Sequence, residues 1–415
     1  VPMDAFHSRD RERYDKTLEL FSDIGCNMIR CWGGNVYEEE TVYDYCDAHG
    51  IMIWQDFAMG CHPYPQEEAF LAEIRKEAES VVRKFRNHPS LVLWAGDNEC
   101  DELIFQSGSN PNKNRITREV LPQVIEANDC SRPYLPSSPY VSPKIVESGN
   151  YRTIPEAHLW GPRDYFKSSY YVGSTAHFIS ETGYHGCPAK VSIEKFIDSD
   201  HLWPLDNNPQ WVLHSSDQRG NDARIHLLPK QIAQLFGEVP TDIEEFIFAS
   251  QISQAEADKF FIENVRTQKE KKGGILWWNL MDGWPQFSDA VVDYYYEKKV
   301  AYDYIKRSQQ PFALMCGEMD NWHLPVIASN DTLKEVCGSF TVQNLESEEV
   351  LLTGEFEVTP NSNALLGRIP VMYSEKGMLL LKWQIGEEEY FNHYLYGMPA
   401  FDLQKYRKWF SKLPK

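Results

Sequence analysis

Leu91-Val92-Leu93-Trp94-Ala95-Gly96-Asp97-Asn98-Glu99 is an apolar run that ends on an amide and two carboxyl side chains. Five apolar residues in succession read as a strand buried on both faces, because a half-buried strand would alternate apolar with polar. Upstream, Glu67 to Asn87 reads as a long helix that stops short of Pro89, a residue that cannot continue it. The same rhythm recurs further out. A helix over Arg11 to Ile24 halts at Gly25, and the strand Met28-Ile29-Arg30-Cys31-Trp32 follows and closes on Gly33-Gly34. A helix over Tyr37 to His49 halts at Gly50, and Ile51 to Phe57 is the next strand.

Further strands fit Pro133 to Ser137, Glu156 to Trp160, His177 to Glu181 and Gly274 to Leu280, with a last helix over Glu297 to Arg307. A short strand near Val1 to Met3 brings the strands to eight, so that Glu99 ends the fourth and Glu181 the seventh. Continuous apolar strands separated by helices predict an α/β fold with a parallel sheet. Eight of them, without a Gly-rich phosphate loop, predict a (β/α)8 TIM barrel over 1–310 rather than an open doubly wound sheet. Residues 182–273 are out of proportion to the usual connection of about two to six residues. They hold a helix (about Ile243 to Lys271) and a polar, Trp-containing stretch, His201 to Arg224, and are expected to shape a substrate site. After Gln310-Pro311, short β-rich runs such as Phe340-Thr341-Val342, Phe356-Glu357-Val358 and Met378 to Trp383 predict a small immunoglobulin-like β-sandwich over 320–415.

Composition narrows the function. A net charge of −20 argues against nucleic acid or an anionic membrane as partner. No run of about 18 apolar residues predicts a transmembrane helix. The nine Cys stand singly, and His62, His158, His177 and His185 show no metal-ligand spacing, so neither metal nor cofactor is expected. The chain opens Val1-Pro2-Met3-Asp4, which reads as a piece of a longer protein. Aromatic residues reach 13%, and their flat faces suit sugar rings wherever a Trp stands beside a carboxylate.

Barrel active sites lie at the C-terminal ends of the strands. Those ends present Arg30 and Trp32, Asp56, Asn98 and Glu99, His158 and Trp160, Glu181, and Trp278 with Asn279. Cleaving a glycosidic bond needs one carboxylic acid to protonate the leaving oxygen and one carboxylate to attack the anomeric carbon. Glu99 and Glu181 are the candidates, with an expected separation of about 5 to 5.5 Å if the enzyme retains configuration. Arg30 and Asp56 read equally well as a strand-end ion pair, and His158 as a packing partner. Trp54, Trp94 and Trp277 are expected to point into packing, since neighbours on a strand alternate sides.

Leu93-Trp94-Ala95-Gly96-Asp97-Asn98-Glu99 resembles the acid/base motif of glycoside hydrolase family 2, especially its β-mannosidase branch. Phe178-Ile179-Ser180-Glu181-Thr182-Gly183-Tyr184 is similar to that branch's nucleophile segment, and Met28 to Glu38 to its arginine-tryptophan-glycine-glycine signature. Ile53 to Phe57 and Leu276 to Pro285 match two further strands. The resemblance implies Glu99 as acid/base, Glu181 as nucleophile and Asn98 on the sugar 2-hydroxyl, with Trp32, Trp160 and Trp278 walling the terminal-sugar subsite. It implies a retaining exo-glycosidase acting on oligosaccharides or simpler glycosides, β-mannosides first. The alternatives are the same chemistry on a glucosaminide, galactoside or glucuronide, a carbohydrate-binding barrel without catalysis, and a metal-dependent hydrolase. Thr182, Tyr184-His185 and Trp278-Asn279 depart from the branch where the sugar pocket lies. Family members also carry N-terminal β domains, so the piece by itself is expected to be poorly active, and the family favours export, the periplasm included.

Overall fold

The computed structural model describes residues 4–217 and 223–414. The chain divides into two compact units: Val1–Trp160 with Ser174–Thr182 and Gly274–Gly283, and Gly161–Gly173 with Gly183–Gly273 and Trp284–Lys415.

The first unit holds the parallel strands β1 (Met28–Cys31), β2 (Met52–Asp56), β3 (Leu91–Ala95), β4 (Tyr134–Leu135), β5 (Glu156–His158), β6 (Phe178–Thr182) and β7 (Gly274–Trp277). β1 to β4 pair in sequence order, as do β5 to β7. The gap between the two ladders is spanned where Ser138 Oγ, beyond the C-terminal end of β4, donates to Glu156 Oε1 at the start of β5 at 2.7 Å. β7 in turn lies beside β1. This is the expected α/β barrel order. The strand expected near Val1 to Met3 lies outside the described residues.

Helices α1 (Asp10–Asp23), α2 (Glu40–His49) and α3 (Glu68–Phe85) alternate with the first strands. α3 buries Leu71, Ala78, Val81, Val82 and Phe85, which recur on one helical face, and Arg83 and Lys84 in its last turn complement the helix dipole. α2 stops at Gly50, whose φ of +69° is the left-handed conformation that ends helices and that glycine adopts without steric cost.

The second unit contains the 24-residue helix Ile243–Arg266, which is capped by Asp242 and buried along much of its length. It also contains two antiparallel sheets built from β8 (Phe312–Cys316), β9 (His323–Asn330), β10 (Val336–Asn344), β11 (Val350–Val358), β12 (Ser362–Pro370), β13 (Gly377–Ile385) and β14 (Glu388–Tyr396). Their orders are β11-β10-β13-β14 and β12-β9-β8, and both sheets contribute to one core that includes Leu314, Val326, Phe340, Val342 and Trp383.

This division differs from the expected boundaries of 1–310 and 320–415. Phe312–Cys316 is already a sheet strand, buried at all five positions, so it lacks the alternation that marks a half-exposed strand. The long connection after β6 belongs with the sheets rather than with the parallel strands. The tail also ends in a helix, Leu403–Lys412, which Asp402 caps by accepting from Lys405 N at 2.7 Å. Part of the His201 to Arg224 stretch, residues 218–222, lies outside the described residues. Among the described residues no helix is long and apolar enough to cross a membrane.

Candidate active site

Six of the ten candidate side chains form one connected cluster at the C-terminal ends of β1, β2, β3, β5 and β6. Arg30, on β1, is buried. Its Nη2 donates to Asp56 Oδ2 at 2.7 Å and to Asn98 Oδ1 at 3.0 Å, and its Nη1 lies 3.3 Å from His158 Nε2 and 3.8 Å from Glu181 Oε2. Asp56 is 1% exposed and also accepts from Gly33 N at 3.0 Å and Trp54 Nε1 at 2.7 Å. Its oxygens are thus taken up by protein donors, and it fixes Arg30 and the Gly33 turn. Gly33 must be glycine, because a Cβ there would stand 2.3 Å from the Met59 carbonyl oxygen.

Asn98 and Glu99 are neighbours, yet both reach the mouth. β3 has ended at Ala95, and Glu99 takes a left-handed backbone with φ +60°. A non-glycine pays for that conformation with about 1–3 kcal/mol, a strain that concentrates at functional positions. The turn is tied down by Glu99 N donating to Ser138 O at 2.8 Å and Asn98 N donating to Met59 O at 2.9 Å. Beneath it, burial and the nearby charge of Asp101 push the Asp97 carboxyl up to about 8, so it is largely protonated at neutral pH.

On the far side, β5 and β6 pair in register up to Ala157 with Ile179, and then the register shifts so that His158 pairs with Glu181. Without that shift His158 would stand opposite Ser180 and Glu181 would face the other way. The irregularity therefore brings imidazole and carboxylate together.

His158 Nδ1 lies 2.8 Å from Glu99 Oε1 and 2.8 Å from Glu181 Oε2, and its Nε2 lies 3.1 Å from Ser138 Oγ. The ligand-type oxygens of the two glutamates fall within 4.8 Å of one another. Burial opposes a charge on His158, but the negative charge of Glu181, 2.8 Å from its Nδ1, and the hydrogen bond to Glu99 outweigh it and push its pKa up to about 10. For Glu99, burial acts upward, yet the hydrogen bond from His158 and the charge of that ring hold it below the ordinary carboxylate value. In the resting site an imidazolium thus lies between two carboxylates.

These shifts predict a pH dependence of stability. A raised His158 pKa contributes stability that is fully present below its ordinary value of about 6.5 and is lost as pH rises through about 10. A lowered Glu99 pKa contributes stability present above about 4.5 and lost as pH falls through the depressed value. The melting temperature is expected to fall between about pH 7 and pH 10, and to fall less in His158→Gln. Equal alkaline slopes in both proteins would dismiss the imidazolium.

Trp32 and Trp278 meet edge to face, with ring centroids 5.1 Å apart, and the buried Trp32 Nε1 has no hydrogen-bond partner among the described residues. Trp278 N donates to Thr182 O at 2.6 Å, and Asn279 Nδ2 lies 3.5 Å from Met281 O. Trp160 follows β5 by two residues, at the same end as His158. Trp94 points into packing as expected, with Nε1 on Asp129. Trp54 is buried too, yet it supports the site through Asp56 and lies 5.3 Å from the Arg30 guanidinium. Ser138, Glu156 and Cys61 also touch the cluster and escaped the sequence reading, because they lie outside its quoted motifs or face inward from a strand.

Glu99, His158 and Glu181 each offer one atom that could ligate a metal, as do Asp44, Asp47 and His88 elsewhere. At the first trio, Arg30 and the protonated His158 already supply positive charge.

The parallel strands of the first unit thus bring two glutamate side chains, Glu99 and Glu181, together around His158. Residues 8–135 match the family described as glycosyl hydrolases family 2, TIM barrel domain. The chain is 30% identical to β-mannosidase B of Emericella nidulans over 419 residues, 91% of this chain and 48% of that protein. A crystal structure of the β-D-mannosidase from Dictyoglomus thermophilum superposes with a TM-score of 0.84 at 30% identity, covering 96% of this chain and 49% of that one. The exo-chitosanase of Amycolatopsis orientalis, at 17% identity and a TM-score of 0.73, shares the fold over 96% of this chain and 48% of its own. By these similarities the chain is glycoside hydrolase family 2 β-mannosidase-like. It spans about half the length of the curated relatives it matches.

Proposed function

We propose that the protein hydrolyses terminal, non-reducing β-linked sugars, β-mannosides first, with retention of configuration. The observation that carries this reading is the pair Glu99 and Glu181, one oxygen of each lying 2.8 Å from the same imidazole nitrogen and within 4.8 Å of the other. That spacing suits a nucleophile with an acid/base more than two groups held about 6.5 to 9.5 Å apart around a water.

In the first step Glu181 attacks the anomeric carbon, the glycosidic C–O bond breaks, and the leaving oxygen takes a proton from Glu99. In the second, water gives a proton to Glu99 and attacks the same carbon, releasing Glu181. Glu99 is ionised at rest, so it must take up the proton it gives before the leaving group departs; the imidazolium of His158, whose pKa lies far above that of Glu99, keeps its own proton and orients Oε1. Asn98, oriented by Arg30, is placed for the 2-hydroxyl, and the unpaired Trp32 indole N–H for another hydroxyl, with Trp160, Trp278 and Asn279 completing the pocket. Arg30 and Asp56 hold Asn98 rather than the sugar.

In domain terms, this reading has a catalytic barrel reaching to about residue 310, followed by an immunoglobulin-like sandwich; the seven antiparallel strands in two sheets support the latter. A metal-assisted hydrolysis through Glu99, His158 and Glu181 is the second reading, favoured by their convergence. A panel of chromogenic β-glycosides, assayed with the intact protein before and after chelation, separates the cases. Release from the mannoside in preference to the glucosaminide, galactoside and glucuronide, unaffected by chelator, is the expected result. Preference for another sugar would reassign the substrate, and loss on chelation would sink the metal-free mechanism.

A further inference from the structure

The two oxygens of Glu99 keep different company. Oε1 lies against the buried His158, whereas Oε2 accepts from Cys61 Sγ at 3.3 Å, and Cys61 is exposed. The same sulfur accepts from Asn98 Nδ2 at 3.3 Å. This thiol therefore bridges the acid/base and the sugar-binding amide.

Its backbone is held for the purpose. Cys61 N donates to Asn98 O at 2.7 Å, and the adjacent Gly60 forms a β-bridge with Asn98. These contacts tie the loop after β2 to the turn after β3. Cys61 also takes a left-handed backbone, with φ +50°, which costs a non-glycine residue about 1–3 kcal/mol. Strain at two residues whose side chains touch, Cys61 and Glu99, marks a deliberately placed contact.

We infer that Cys61 is a positioning residue for Glu99: its thiol holds Oε2 in the free protein and yields that place to the leaving-group oxygen. The inference rests on the glycosidase reading above. Oε1 is engaged by a charge-assisted bond to His158, so Oε2 is the oxygen free to face the scissile bond. A thiol suits the task because S–H is a weak donor, strong enough to fix a carboxylate but easily displaced. A hydroxyl there would compete harder with the substrate. Although the residue as a whole is exposed, desolvation of the sulfur by the atoms around it and the charge of Glu99 push the Cys61 thiol up to about 12, so it remains a donor over the working range.

The test uses Cys61→Ala and Cys61→Ser in the intact protein, with kcat/KM measured against pH on aryl β-glycosides. The free protein holds Glu99 below the ordinary carboxylate value, so its titration falls on the acid limb; removing the donor weakens the anionic form, and that limb is expected to move up by about half a pH unit in Cys61→Ala. The stronger hydroxyl donor of Cys61→Ser is expected to move it down. Opposite displacements are a result that a merely structural role would not give. An activity-independent readout is alkylation of Cys61 at about pH 8.5, followed by peptide mass spectrometry; Glu99→Gln is expected to speed it about tenfold by removing the charge that keeps the thiol protonated. An active protein with unshifted limbs overturns this inference and leaves the glycosidase reading standing. An unchanged alkylation rate overturns the contact itself. A wild-type protein inert toward every aryl glycoside overturns the glycosidase reading, and the inference with it.

Discussion

Glu181→Gln is expected to abolish turnover of β-mannosides while substrate still binds. The amide keeps the shape of the carboxylate but cannot form the glycosyl ester, and no neighbouring group can replace it. Glu99 is held by His158 and Cys61, and Asp56 is enclosed by Arg30, Gly33 and Trp54. Losing a nucleophile costs on the order of 10⁴-fold or more in kcat, as in other enzymes that proceed through a covalent intermediate. The substitution has a second, electrostatic signature. The charge of Glu181 heads the influences that raise the His158 pKa, so its removal is expected to lower that pKa. Steady-state kinetics and calorimetric binding check the first effect, and NMR titration of the His158 ring the second. Retention of more than about a tenth of wild-type kcat, little over 1 kcal/mol of barrier, would show that Glu181 is not the nucleophile.

The strands that carry this site were legible because a parallel barrel buries both faces of each strand and leaves unbroken apolar runs. Leu91–Ala95 and Met52–Asp56 stand within a residue or so of where the pattern puts them. The positions of Arg30, Asp56, Asn98, Glu99, His158 and Glu181 follow from one rule, that function gathers at the C-terminal strand ends. What could not be read is how each side chain turns once there. The left-handed backbone at Glu99 and the register shift before Glu181 are local departures from ideal geometry, and no periodicity encodes them. Cys61 belongs to a loop that meets Glu99 only through the fold, 38 positions apart in sequence. Asp56 shows the opposite limit: strand-end placement was right, but only the structure reveals that protein donors already occupy its oxygens. Phe312–Cys316 escaped for a simpler reason, since a fully buried strand of an antiparallel sheet lacks the alternation by which such strands are found.

Glu99→Ala is expected to separate the two steps that Glu181→Gln removes together. With a poor leaving group, such as a second sugar, departure needs the proton from Glu99, and general acid catalysis contributes about 10²–10⁴-fold. With a leaving group as acidic as dinitrophenol the first step needs no proton, so formation of the glycosyl-enzyme is expected to proceed within about tenfold of the wild-type rate. Hydrolysis of that intermediate still needs a base for water, so kcat falls and the intermediate accumulates, with a burst of product followed by a slow steady state. A small anion such as azide needs no deprotonation and can enter the space left by the carboxylate. It is expected to restore turnover and give the β-glycosyl azide, since two inversions at the same carbon retain configuration. The substitution also leaves His158 with Glu181 as its remaining glutamate contact at Nδ1, so the charge that raises its pKa is only partly removed and the imidazolium persists. His158 is then the nearest candidate to substitute as acid, and a residual rate on unactivated mannosides that vanishes in Glu99→Ala/His158→Gln would expose that role. Equal losses on activated and unactivated substrates, with no burst and no azide adduct, would remove Glu99 from the chemistry and leave it a structural neighbour of His158.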